Sequence, residues 1–208
     1  MKTSKLVDHR IKWIANAIHL YMALSVLLLI VCILHVNSQS IEPYNKIIKE
    51  KCYTSYYNNG ITGPSYVIYK LYKGGGNISR KGMKFTIPYV HFHYAKSGYD
   101  KGHLCPAGDF AYNRDLEECT FRYYNAVPMT SRLNRGLWEC YEDSVRMLSQ
   151  TDSLLVICGG CDYYGGQVPR HCFKVVKSLT DGRIYYSLLF DNKVKNGRVY
   201  KCDRFILK

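Results

Sequence analysis

Two short stretches of this chain concentrate residues that can do chemistry. One is Tyr99-Asp100-Lys101-Gly102-His103-Leu104-Cys105-Pro106-Ala107-Gly108-Asp109, and the other is Asn134-Arg135-Gly136-Leu137-Trp138-Glu139-Cys140-Tyr141-Glu142. Together they supply an imidazole, an amide oxygen and a carboxylate. A histidine titrates near neutral pH, so its neutral ring can take a proton from an attacking water. A hard ion such as Mg2+ prefers oxygen donors and retains several waters, and Asn134 offers such an oxygen. The set suits metal-assisted phosphodiester hydrolysis.

These residues need elements to position them. Asn134, Trp138 and Glu142 recur every four residues. At roughly 3.6 residues per turn each step advances about 400°, so the trio drifts only about 80° around a helix. One helix face would then address Asn134 and Glu142 to a common cleft. The spacing predicts a main helix over 134–150, with Trp138, Tyr141, Val145 and Leu148 as its apolar stripe. Gly102 is expected to permit a sharp turn that presents His103 at a strand end or loop. Strand-like runs precede the site at Ser65–Tyr72 and Phe85–Tyr94, with Gly74-Gly75-Gly76-Asn77 as a flexible spacer. Others follow at Ser153–Cys158, Cys172–Lys177 and Arg183–Phe190, with a turn at Thr180-Asp181-Gly182. This order indicates an α+β domain on a mixed or antiparallel sheet with flanking helices.

At the two motifs the chain resembles the DNA/RNA non-specific endonucleases with the ββα-metal (His-Me finger) core, the group that includes endonuclease G. Their pattern is Asp-Arg-Gly-His, then an Asn-rich stretch ending in Asn-x-Gly-x-Trp with a Glu four residues later. The likeness runs roughly from Gly63 through Asn192, taking in Asn125-Ala126-Val127-Pro128-Met129 before the metal helix. It implies that His103 is the general base, Asn134 the single direct protein ligand of Mg2+ (Mn2+ being the alternative), and Glu142 a carboxylate holding metal-bound water. It further implies that Asp100 braces the loop of His103, that Arg80 neutralises phosphate charge, and that Arg135 contacts substrate. Lys101 stands where the family has arginine, which keeps the charge but loses the planar fork. Water rather than a ribose hydroxyl would attack, so both DNA and RNA are implied substrates.

Of the 208 residues, 47% are hydrophobic, enough for one domain of ordinary size and no second large one. The formal net charge is +13, of which residues 1–38 carry +3. The basic remainder favours polyanionic partners. Residues 13–36 contain no Asp, Glu, Lys or Arg. They read as a signal-peptide core, cleaved after Val36-Asn37-Ser38, or as a retained signal-anchor in a membrane. Either places the rest of the chain outside the cytoplasm. The expected organisation is a leader over 1–38, a tether or lead-in over 39–60, and the catalytic domain over 61–208. Eight of the nine cysteines lie beyond the apolar stretch. In an oxidising compartment they could form up to four disulfides. Asn77-Ile78-Ser79 is a glycosylation sequon.

Other constellations compete. Cys158-Gly159-Gly160-Cys161 has thioredoxin-like spacing, which gives a thiol oxidoreductase as one alternative function and a structural disulfide as the plainer reading. With His171 and Cys172 the same cysteines could form a zinc site. His91 and His93 would share one strand face and could hold a metal. A second alternative function is a low-turnover nucleic-acid-binding or uptake protein of the same fold, motivated by Lys101. Twenty tyrosines could stack on unpaired bases, and the sequence assigns none of them to it.

Overall fold

A computed structural model of the protein describes residues 43–86, 91–193 and 199–201. The apolar stretch 13–36 lies outside the described residues. Among the described residues no helix is long and apolar enough to cross a membrane.

The elements in chain order are β1 (Lys46–Lys49), β2 (Tyr53–Asn58), β3 (Gly63–Leu71), β4 (Tyr99–His103), α1 (Arg114–Cys119), β5 (Ala126–Thr130), α2 (Glu139–Leu148), β6 (Leu154–Cys161), β7 (His171–Ser178), β8 (Ile184–Asp191) and β9 (Val199–Lys201). Seven strands form one antiparallel sheet in the order β1-β2-β3-β6-β7-β8-β9, while β4 and β5 form a separate antiparallel ribbon. Alternation of side chains divides the sheet into two faces. Val156 and Cys158 of β6, Val176 of β7 and Phe190 of β8 join Leu104, Met129, Trp138 and Val145 in the main core. Their neighbours Ile157, Cys161, Phe173, Val175 and Leu189 form a smaller cluster. Because β6 and β7 contribute to both clusters, they read as almost uninterrupted apolar runs.

The structure corrects several sequence expectations. Residues 46–58, expected within a lead-in, supply β1 and β2 and belong to the sheet. The Phe85–Tyr94 strand is absent from the described part of that stretch. Thr86 makes a lone bridge to Arg122, residues 87–90 lie outside the described residues, and His91 and His93 sit in irregular chain. The helix expected over 134–150 is broken. Wide turns over Leu133–Trp138 contain Gly136 at φ −129°, ψ −109°, and regular α-helix begins only at Glu139. Gly102 makes no turn either. It lies within β4, where a Cβ would meet Met129 at 2.7 Å, so the glycine serves close packing of ribbon on core.

The cysteine pair of the Cys-x-x-Cys stretch also departs from expectation. Both residues belong to β6 and, being three apart on a strand, face opposite sides of the sheet. They can neither pair with each other nor act as an exposed dithiol, and burial pushes the Cys158 thiol up to about 11 even with Lys174 beside it. This removes the oxidoreductase reading. A different pair comes together, for the sulfurs of Cys52 and Cys119 are 2.7 Å apart between the start of β2 and the end of α1.

Asn125 closes the loop that follows β4. Fully buried, it accepts from the Cys105 backbone N–H at 2.8 Å and donates to the carbonyls of Cys105 and Thr120, both at 2.8 Å. Its own carbonyl receives the Leu104 N–H at 2.9 Å. Replacing Asn125 with Ala strands a buried backbone donor and acceptor next to His103. The expected cost is about 2–4 kcal/mol, read as a lower denaturant midpoint. An unchanged midpoint would show that water satisfies these groups and that Asn125 is not the clasp.

Candidate active site

The ribbon and the kinked helix start build the site between them. Asp100 lies opposite Met129 in the β4–β5 register, and its carboxylate leaves the ribbon toward residues 131–135. It receives Arg135 Nε and Nη2, each at 2.8 Å, Asn134 Nδ2 at 3.1 Å and Ser131 Oγ at 3.2 Å. Partial burial opposes its ionisation, but the hydrogen bonds from Arg135, Asn134 and Ser131 outweigh it and hold the carboxyl below its ordinary range. A carboxylate that occupies the amide nitrogen of Asn134 also fixes which end of that amide is left over. The Oδ1 oxygen is the available donor, and it is the atom type a hard cation takes.

His103 ends the same strand. Its carbonyl accepts the Trp138 indole N–H at 3.1 Å, which ties the ribbon to the helix start. Its ring lies 4.9 Å from the Phe85 ring and 5.0 Å from that of Phe121. Nε2 is closed off from solvent and has no hydrogen-bond partner among the described residues. Burial, reinforced by Arg80 and Lys101, pulls the imidazole down to about 3. The ring is therefore neutral through the physiological range, with Nε2 left unbonded.

On α2, Glu142 is raised to about 7 by burial, with Asp109 adding to the shift while Lys174, Arg146 and Arg80 oppose it. Arg146, one turn further on, donates to Asp109 Oδ1 at 2.8 Å and pairs with Asp143. The buried Asp109 also accepts from the Tyr69 hydroxyl at 2.9 Å. Arg80 reaches the same place, since a Cβ on Gly108 would meet Arg80 Nη2 and Arg146 Nη1, both at 3.1 Å. Beneath them Lys174 is fully buried, its ammonium 4.2 Å from the Trp138 ring centroid.

Every residue singled out by the motifs thus falls in one region. Asp100, Lys101, Asn134 and Arg135 line one open cleft, and His103, Arg80 and Glu142 adjoin the charged cluster around Asp109. Arg135 differs from expectation, because two of its nitrogens are committed to Asp100 and its first task is to hold that carboxylate. Sequence reasoning missed Arg146, Asp109 and Lys174. Arg146 follows Glu142 by four residues, which puts it on the same helix face. Lys174 interrupts the apolar run of β7, and a lysine in a buried strand signals an internal counter-charge.

The zinc set imagined from the cysteines is split by the sheet, with Cys158 in the main core and Cys161 in the smaller cluster. Cys161, Asp162 and His171 do gather, their ligand-type atoms all within 4.8 Å of one another. There His171 Nδ1 is bonded to Asp162 at 2.7 Å, while Nε2 pairs with Asp191 at 3.1 Å.

A family model described as DNA/RNA non-specific endonuclease matches residues 41–204. The chain belongs to that family. The family match takes in β1 and β2, in keeping with their place in the sheet. Among its relatives, a protein named Nuclease from Nostoc sp. is 28% identical over 66% of this chain and 56% of its own length. Endonuclease G, mitochondrial, from Bos taurus is 31% identical over 32% of this chain and 22% of its own. Nuclease 1, mitochondrial, from Schizosaccharomyces pombe is 30% identical over 43% and 34%. The chain therefore spans little more than half the length of the first of these relatives and less of the others. A chain of a solved EndoG/EndoGI complex shares the fold, with a TM-score of 0.59 at 22% identity, covering 71% of this chain and 74% of that one. The ββα-metal core of this nuclease family here comprises the β4–β5 ribbon and the helix that begins beyond the Gly136 kink.

Glu142 also carries a stability signature. Its folded value, about 7, lies above the ordinary 4.5, so burying the carboxylate destabilises the fold progressively as pH rises from about 4.5 to about 7. Glu142→Gln should raise stability by roughly 1–3 kcal/mol at pH 8 and leave it unchanged below pH 4.5, measured by denaturant melts with chelator present. Equal midpoints at pH 8 would mean that the carboxylate is solvated after all.

Proposed function

We propose that the chain is a metal-dependent endonuclease that hydrolyses phosphodiester bonds of both DNA and RNA, with Mg2+ as the resident ion and Mn2+ as its substitute. One observation carries this reading: Asp100 takes the Asn134 amide nitrogen and leaves its oxygen available, on a site that also holds a neutral imidazole with a buried, unbonded nitrogen. The donor set fits a hard cation, with Asn134 Oδ1 as the direct protein ligand and Glu142 acting through bound water. When bound, the ion supplies positive charge that stabilises the leaving oxygen.

The chain's own residues do the rest. His103, held neutral, removes a proton from the water that attacks phosphorus. Arg80 and Arg146 converge at Gly108 and offset the charge of the phosphate as it builds. Ionised Asp100 keeps Asn134 and Arg135 oriented without itself taking part. Nothing in this scheme calls on a 2′-hydroxyl, which is why DNA and RNA both serve.

Location outside the cytoplasm, secreted or held by residues 13–36 in a membrane, accords with the cysteine content. In an oxidising compartment Cys52 and Cys119 would pass two electrons to a disulfide oxidant, release two protons and form a bond. Peptide mapping without reductant should then recover residues 52 and 119 in one cross-linked fragment of the exported protein. Recovery of both as free thiols would contradict the assignment of compartment.

His103→Ala should lower cleavage about 10²–10⁴-fold while DNA binding in chelator stays intact, because only the base is lost. Turnover like that of the wild type would remove His103 from the mechanism. Asn134→Ala should raise the Mg2+ concentration needed for half-maximal cleavage, with partial recovery in excess Mg2+. A Mg2+ requirement identical to the wild type would show that Asn134 is not the ligand. Full-chain protein and a nicking assay with and without chelator suffice for both.

A further inference from the structure

Beside the candidate active site lies an open cleft of about 600 Å3. Six of its lining residues are aromatic, namely Phe85, His91, Tyr94, Tyr99 and Tyr123, all partly buried, and the exposed His93. Lys101 sits among them, its ammonium 5.4 Å from the Phe85 ring centroid, 5.8 Å from Tyr94 and 5.9 Å from Tyr123. Among the described residues Lys101 makes no ion pair. The cleft adjoins the chemistry directly, because Asp100 and Asn134 also line it and the Phe85 ring touches that of His103.

Such a lining is unlike the guanidinium cluster at Gly108. Phosphate oxygens favour the arginines, whereas flat π-faces around one cation suit a flat, polarisable, hydrogen-bonding ring. A strand whose phosphate lies at His103 and Asn134 must lay a neighbouring nucleotide against this cleft. A base inside a duplex has both faces covered by its stacking neighbours and has none to offer. An unpaired base has two.

We propose that this cleft is a nucleobase subsite: it receives one unstacked base flanking the scissile phosphate, on the platform made by the stacked His91 and Tyr123 rings, whose centroids are 3.7 Å apart, with Lys101 contacting the ring edge or the adjoining phosphate. The inference rests on the nuclease reading and deepens it by naming single-stranded or locally opened nucleic acid as the preferred substrate. It also gives Lys101 a task of its own. An ammonium among three rings is held there by their faces and needs no planar fork.

Binding of the full chain in chelator, without cleavage, tests this. An oligodeoxythymidine and a strand of the same length made entirely of abasic units carry the same phosphates. The base-bearing strand should bind about 5–150-fold tighter, the range that stacking of one base provides. Tyr123→Leu should remove most of that difference and Tyr123→Phe should keep it. The slope of affinity against salt should be the same in all three proteins, because the phosphate contacts are untouched. Equal binding of thymidine and abasic strands by the wild type would overturn the subsite whether or not the variants fold. So would a Tyr123→Phe variant that behaves like Tyr123→Leu. Failure of the nuclease reading is distinct, since it would appear as no Mg2+-dependent cleavage by the wild type of either single strands or duplex.

Discussion

The Asp100 carboxylate is the junction on which the site depends. It projects from a strand of the ribbon and is grasped by three side chains of the segment that begins the helix. Remove it, and Asn134 loses the contact that turns its oxygen outward, Arg135 loses its anchor, and the ribbon is held to the helix mainly by Trp138 reaching the His103 carbonyl. A charge with four donors around it is also directional, which packing alone is not. The kink at Gly136 makes this arrangement feasible. A regular helix through that point would continue the direction of α2, whereas the break lets the Asn134 turn face the ribbon while Trp138 drops into the core.

Charge is buried under this site to an unusual extent. Asp109, Glu117 and Lys174 are all inaccessible to solvent, and Arg146 is largely so. Taking such groups out of water is expensive unless each finds a partner. Asp109 finds Arg146 and Tyr69, whereas Glu117 has Arg80 only at 3.6 Å and Lys174 lies over the Trp138 face, neither making a hydrogen bond among the described residues. The arrangement is a poor way to gain stability and an effective way to keep positive potential fixed where a phosphate would lie. Burial is the main perturbation of both central groups: it keeps His103 neutral, with Arg80 and Lys101 adding to the effect, and it keeps Glu142 reluctant to ionise despite the cations near it.

Sequence and structure agree best on position: His103, Asn134 and Glu142, singled out by the two motifs and the family resemblance, are carried by the ribbon end and by the kinked segment and helix that follow it. The strands β3, β6, β7 and β8 were legible from apolar and β-branched runs. Less legible was anything that depends on which distant segments meet. Lys174 joins the site only because β7 brings it against Trp138, and the aromatic cleft draws on residues from Phe85 to Tyr123 with no periodicity among them. At Gly102 the sequence suggests a sharp turn, whereas its smallness serves a contact with Met129, a distinction that requires the opposing strand. In Cys158-Gly159-Gly160-Cys161 the motif spacing was right for a dithiol, but a strand period of two sends its sulfurs to opposite faces. Residues 46–58 looked polar because β1 lies at the edge of the sheet and β2 buries alternate positions.

Strands β3 and β6 are direct neighbours in the sheet, yet residues 72–153 intervene, and Arg80, Asp100, Lys101, His103, Asn134, Glu142 and Arg146 all lie within that excursion. Closing so long a loop has an entropic cost that is met only when β6 docks. Pairing across it is the kind of distant contact that slows folding. During synthesis every one of these seven residues is therefore made before the strand that completes their platform, and a nascent chain ending short of Leu154 carries them with only β1–β3 of the sheet. On this topology the candidate site is held on both sides only once β6 has paired with β3.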